Sequence, residues 1–169
     1  TASTTAALAM GDALAICLLQ KRGFSAEDFL LFHPSGSLGK GVLYTVGDLM
    51  IRGEELPLAD ENTKFLDVVK IISEKKLGCV ILTDESGKMT GVLTDGDIRR
   101  ILIKHLKVEE LITKDVMTKN PKTTTEKALA VKALALMEKY SITSLAVCDE
   151  EKHPTGIIHI HNLLRAGVA

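Results

Sequence analysis

Val46-Gly47-Asp48-Leu49-Met50 recurs 67 positions later as Thr113-Lys114-Asp115-Val116-Met117, and this recurrence decides how the rest of the chain is read. Self-similarity at a fixed spacing marks a repeated structural unit. A helical pattern follows each copy. Phe65, Val68, Val69 and Ile72 share one face in the first. Leu129, Ala133, Leu136, Met137 and Tyr140 do so in the second, behind a capping box predicted from Thr123 to Glu126. Next come β-like runs at 79–84 and 145–149, polar turns, and second strands at 90–94 and 155–159. Short helices at 97–102 and 162–166 close the copies. The offset at the strands is 65, which places two extra residues of the first copy near 53–58. Between 78–99 and 143–164 only four of 22 pairs are identical: Asp84/Asp149, Glu85/Glu150, Thr90/Thr155 and Gly91/Gly156. The pattern of elements repeats better than the letters do.

Each copy therefore has the order β-α-β-β-α, an α/β (α+β) arrangement. A unit of about 55–60 residues has too thin a core to stand alone. Two units related by a pseudo-two-fold axis can bury their sheets against each other and leave nucleotide-sized clefts at the junction.

Composition narrows the function classes. The 169 residues are 46% apolar and 25% charged, which excludes wholesale disorder. Twenty-one basic residues against 22 acidic ones give a net charge of -1, so nothing calls for nucleic acid or an anionic membrane as partner. Aromatics are only 4% and Trp is absent, so the core is built from Ala, Val, Ile and Leu, and base stacking on aromatic platforms is disfavoured. Cys17, Cys79 and Cys148 form no C-x-x-C and sit in apolar runs. They read as buried free thiols of a reducing, cytoplasmic compartment.

Before the repeat, residues 4–20 read as a helix apolar nearly all round, of the kind buried on several sides, with Gly23 as a left-handed cap. Ser3, Thr4, Thr5, Gly11, Gln20 and above all Asp12 argue against a membrane span, since a mid-span Asp costs about 2.5–3.5 kcal/mol. The segment lacks the basic leader of a signal peptide. The absence of a starting Met suggests a piece of a longer protein. A short helix capped by Ser25 is predicted next, ending at His33-Pro34 before a Gly/Ser-rich loop over 34–41.

The repeat resembles the cystathionine-β-synthase (CBS) domain, which occurs as tandem pairs, over about residues 45–168. The carrying residues are Asp48-Leu49-Met50, Asp115-Val116-Met117 and Gly91-Val92-Leu93-Thr94-Asp95-Gly96-Asp97. The resemblance implies that Thr94 and Asp97 bind a nucleotide ribose. Arg99 and Arg100 stand nearby for a phosphate, and Met117 and Thr118 complete the candidate site. A short carboxylate acceptor suits a ribose diol, and a nearby helix N-terminus suits phosphate. In the second copy His159 replaces the hydroxyl and Asn162 the Asp, so that site is expected to be weaker. Thr94 and Asp97 also suit helix capping, and His159 with His161 has the spacing of a metal pair, though no third ligand is near and no metal is expected. Lys75, Lys76, Lys104 and Lys107 read as solvated, and Gly91 and Gly96 as turn residues.

The opening segment, residues 4–15 followed by His33-Pro34-Ser35-Gly36-Ser37-Leu38-Gly39-Lys40, resembles the end of a sugar isomerase (SIS) domain, and more closely the arabinose-5-phosphate isomerase group. There an SIS domain precedes a CBS pair. The implied organisation is a remnant of the SIS domain with a linker over 1–44, and CBS domains over 45–106 and 107–169. His33 matches the group's junction histidine, a candidate proton shuttle for enediol chemistry. The remaining catalytic groups would precede Thr1, so this chain alone is expected to be inactive. The group interconverts ribulose 5-phosphate and arabinose 5-phosphate for synthesis of the octulosonate sugar (Kdo) of surface polysaccharides. The resemblance implies a regulatory CBS pair with no required cofactor, sensing AMP, ATP or CMP-Kdo and acting on its own SIS domain in a homodimer or homotetramer. The alternative is a CBS pair serving mainly as an oligomerisation platform.

Overall fold

A computed structural model describes residues 1–24, 44–104 and 107–168. After helix α1 (Ala2–Lys21) the chain enters two similar units. The first runs helix α2 (Val46–Leu49), a 3₁₀ turn (Gly53–Glu55), strand β1 (Leu58–Asp60), helix α3 (Phe65–Lys75), strands β2 (Cys79–Thr83) and β3 (Met89–Thr94), and helix α4 (Asp95–Lys104). The second runs helix α5 (Thr113–Val116), strands β4 (Thr118–Lys119) and β5 (Thr123–Thr124), helix α6 (Ala130–Tyr140), strands β6 (Ser144–Cys148) and β7 (Pro154–His159), and helix α7 (Ile160–Arg165). The β-α-β-β-α order appears in both, and the 3₁₀ turn occupies the place of the two extra residues.

Two sheets form, β1-β2-β3-β4 and β5-β6-β7. Each begins with a parallel pair, β1 with β2 and β5 with β6, followed by an antiparallel hairpin. Period-two alternation sends the apolar side chains of each strand to two different layers. In β2, Val80 and Leu82 meet Phe65, Val68 and Ile72 of α3. Cys79 and Ile81 face the other way, onto Ala146 and Cys148 of β6 and Ile157 of β7. In the second unit Leu145, Val147 and Ile158 pack on Ala133, Leu134 and Met137 of α6. Helices thus cover the outer faces, and the two sheets share an inner core. Strands buried on both faces explain the unbroken apolar runs of the sequence.

The leading helices are exchanged between units. Val46, Leu49 and Met50 join the core of the second unit, and Val116 and Met117 join that of the first. Backbone bonds follow the same exchange: Val46 N–H donates to Ala128 O at 2.8 Å, and Thr113 N–H to Thr63 O at 3.0 Å. Strand β4 pairs with β3 of the first unit, and Ile51 bridges to Ile157 of the second. Gly91 and Gly156 permit this. A Cβ on Gly91 would lie 2.5 Å from Met117 Sδ and 2.9 Å from Thr118 O; one on Gly156 would lie 2.6 Å from Met50 Sδ and 2.9 Å from Ile51 O. Gly91 is therefore a close-approach position within a strand, not the turn residue expected. Gly96 lies in the first turn of α4.

Three other expectations are corrected. The capping box from Thr123 to Glu126 does not form. Thr123 pairs with Ala146 in a strand, α6 starts only at Ala130, and Glu126 meets Arg52 at 3.2 Å. Helix α1 forms and Gly23 takes φ +64°, yet none of its residues is buried; Leu8 and Met10 are about two-thirds exposed, at 69% and 66%. Its length and composition are those of a helix able to cross a membrane, but core helices of soluble proteins and signal sequences share them. Cys17, on this helix, is exposed, whereas Cys79 and Cys148 are buried thiols whose pKa burial raises. The Ser25-capped helix, His33 and the loop over 34–41 lie outside the described residues.

One junction contact carries a pH prediction. Glu61, nearly buried, accepts from Lys114 Nζ across the two units. The bond from Lys114 is the largest influence holding its carboxyl below the usual glutamate range. The unfolded state then binds the proton more readily. The stabilisation is present above the ordinary glutamate pKa of about 4.3 and is lost as pH falls through the lower folded value. Lys114→Met should unfold at a higher pH in acid titration than the parent chain. Lys70→Met, which breaks the exposed pair with Asp67, should not. Coincident acid transitions for Lys114→Met and parent would refute the assignment.

Candidate functional site

The hairpins of both units end at the same opening. Cys79 pairs with Thr94, and Ser144 with His159, so the last residues of β3 and β7 come to one end of the inner core. Between them lies a cleft of about 910 Å³ lined by both units, within the range of small-molecule sites. Thr94, Asp97, Arg99, Thr118 and His159 line it. Met117 and Asn162 do not. Met117 is packed against Gly91, and His161 takes the place in the lining expected of Asn162.

Thr94 and Asp97 form a reciprocal cap at the start of α4. Asp97 N–H donates to Thr94 Oγ1 at 3.2 Å. Asp97 Oδ2 accepts from Thr94 N–H at 3.0 Å and from its hydroxyl at 2.7 Å. The hydroxyl proton is thus committed to the cap. Asp97 Oδ1 accepts from Arg100, whose side chain is 70% exposed while that of Asp97 is 13% exposed. A carboxylate oxygen has room for further donors, so Oδ1 is the atom that can receive a ribose hydroxyl beside or in place of the guanidinium. Capping and ligand binding are compatible at this residue. Arg99 has no ion-pair partner among the described residues.

The second unit builds its corner differently. His159 caps α7, its Nδ1 accepting the His161 N–H at 3.1 Å, and the two rings stack with centroids 5.0 Å apart. Burial, and then the neighbouring His161, lowers the pKa of His159. A metal pair on one strand face is not what forms, since His161 lies in the first turn of α7. Among the described residues, Asp149, Glu151 and His153 could hold a metal, but on an exposed turn where Asp149 already accepts the Glu151 and His153 N–H groups.

Sequence reading missed several lining residues, among them Lys76, Asn120, Lys122 and Ser141. Lys76, read as solvated, ends α3 at φ +56°, and Ser141 ends α6 at φ +51°. They sit 65 positions apart, so the repeat offset relates them, but only the helix ends show that both turn into the cleft.

The CBS domain pattern matches residues 46–104 and 113–169. The chain belongs to the CBS domain family. This CBS pair is 44% identical over 99% of its length to arabinose 5-phosphate isomerase KdsD of Escherichia coli K12, and it spans 51% of that relative. It thus covers about half the length of the curated relatives it matches. Its fold matches CBSX2 of Arabidopsis thaliana, solved in complex with AMP, at TM-score 0.66 and 25% identity, over 74% of this chain and 96% of that one. It also matches the CBS pair of protein MJ0100, solved with 5′-methylthioadenosine and S-adenosyl-L-methionine, at TM-score 0.64 and 24% identity, over 72% and 93%.

Proposed function

We propose that this is the ligand-sensing CBS pair of an arabinose 5-phosphate isomerase. It binds a nucleotide or nucleotide-sugar in the cleft and passes its occupancy to a sugar-isomerase catalytic half. The observation that carries this reading is the single cleft into which Asp97, Arg99 and Thr118 converge. Its acceptor oxygen beside basic groups matches a ribose phosphate. The adenosine compounds in CBSX2 and MJ0100 support the ligand class, and the similarity to KdsD supports the parent activity. In that parent, His33 is a catalytic residue of the isomerase, Thr94, Asp97, Arg99 and Thr118 form the stronger ligand site, and His159 marks the weaker one. The protein is cytoplasmic and works as a homodimer or homotetramer.

The test is a thermal-shift screen of this chain with AMP, ADP, ATP, CMP and CMP-Kdo. A ligand at about 100-fold its Kd adds roughly 2.7 kcal/mol, and a shift of about 5–10 °C should follow in a chain of this size. No shift with any member of the panel would overturn the sensing reading in favour of the oligomerisation platform. The exposed apolar face of α1 is the observation that favours that second reading.

A further inference from the structure

The two ends of the cleft differ in chemistry. One presents the Asp97 carboxylate. The other, at α7, presents the stacked rings of His159 and His161, both in the lining. Because His159 Nδ1 already accepts a backbone N–H, its neutral ring carries the proton on Nε2 and can act toward a ligand only as a donor there. The charged groups of the cleft are Lys76, Arg99, Arg100 and Lys122 against Asp95 and Asp97, and Asp97 is already paired with Arg100. The elements that pack most extensively on α7 are α6 and β7; among the described residues they bring Tyr140 and His159 itself to the lining, and no carboxylate. Lys122 and Lys139 lie 4.9 and 5.5 Å from the Tyr140 ring centroid. Of these lysines only Lys122 lines the cleft; the α7 end thus offers an imidazole N–H donor where the first unit keeps a carboxylate, and Lys122 adds a positive charge to the same cleft.

We propose that the His159–His161 pair is a phosphate subsite, which holds a phosphate group of the ligand by charge-assisted hydrogen bonds from the imidazoles, with Lys122 adding positive charge elsewhere in the same cleft. The second corner is then not a weakened copy of the ribose site but a site of opposite preference. The inference takes the nucleotide from the functional reading above, while the anion preference stands on the imidazoles and lysine alone. The anion favours the protonated rings, so its binding raises the imidazole pKa values. In the free protein burial disfavours the charged form of His159, so the anion acts there against a pKa already held down.

The experiment follows the Cε1–H resonances of His159 and His161 by NMR as a function of pH, in the intact chain alone and with AMP, adenosine or pyrophosphate. AMP and pyrophosphate should raise the imidazole pKa values, and adenosine should not. AMP should bind about tenfold more tightly than adenosine, the worth of one charge-assisted bond. The double variant His159→Asn with His161→Asn should bring the two affinities together. Asparagine still caps α7, so the fold should be retained, and the melting temperature verifies this. AMP that perturbs Thr94 and Gly96 but leaves both imidazole titrations unchanged would overturn the inference and leave the nucleotide reading standing. Pyrophosphate that raises the pKa values while neither AMP nor adenosine binds would support the subsite and remove the nucleotide reading. No response to AMP or pyrophosphate would overturn the subsite.

Discussion

Gly91→Ala and Gly156→Ala should each lower the melting temperature by roughly 5–15 °C, the equivalent of about 2–4 kcal/mol in a chain of this length. The added methyl meets two kinds of neighbour. The sulfurs of Met117 and Met50, at 2.5 and 2.6 Å, belong to flexible side chains and can retreat. The carbonyl oxygens of Thr118 and Ile51, both at 2.9 Å, cannot, because those residues are held by pairing to Val92 and Ile157. Trimming the methionine in the double variant Gly91→Ala with Met117→Ala should therefore not restore the parent stability. Gly96→Ala is the contrast. Its methyl would come no closer than 3.4 Å, to the exposed Arg100 guanidinium, and an alanine within a helix is favoured over glycine by up to about 1 kcal/mol. Calorimetric melting of the three single variants decides. A Gly91→Ala midpoint at or above that of the parent would mean that the exchanged segments do not pack as closely as described.

Asp97→Ala should weaken binding of the best nucleotide from the screen by about 10- to 150-fold, the worth of a partly buried charged acceptor for a ribose hydroxyl. The same change removes the cap that Thr94 and Asp97 build together, at a cost near 1 kcal/mol of stability. Asp97→Asn separates the two roles. It keeps an acceptor oxygen for the cap and loses the charge, so melting should hold while affinity falls. Asn162→Ala should change affinity little, because Asn162 lies outside the cleft lining. Titration calorimetry on the three variants measures this. Equal losses at 97 and 162 would make the two corners equivalent, and an unchanged affinity in Asp97→Ala would reduce the pair to a helix cap.

The identical pairs between the copies show what was legible. Asp84 and Asp149 accept backbone N–H groups of the hairpin turns, from Ser86 and Lys88 in one unit and from Glu151 and His153 in the other. Thr90 and Thr155 donate to Leu82 O and Val147 O. Gly91 and Gly156 admit the neighbouring segment. Each is a local demand that few residue types meet, so these letters repeat where the core letters drift. The capping box at Thr123 was misread because Thr-x-x-Glu fits a helix start equally well when a strand bond claims the threonine first.

Periodicity and spacing by themselves determined the element order, the two-unit repeat and the core face of the first copy, because those follow from alternation along one chain; in the second copy Ala133 and Met137 are buried as predicted, but Ala130 and Leu134 join them and Tyr140 is exposed. The 65-residue offset marked Thr94 and His159 as corresponding corners, since both end the second strand of a hairpin. Tertiary structure alone decided which leading helix completes which core, that the two corners open into one cleft, and that His161 rather than Asn162 faces it. It also decided that α1 finds no cover among the described residues. A repeated pattern fixes what each unit must bury but not whose surface buries it. That choice depends on contacts between residues 50 to 106 positions apart, such as Thr113 with Thr63, Val46 with Ala128 and Ile51 with Ile157, which no local window contains.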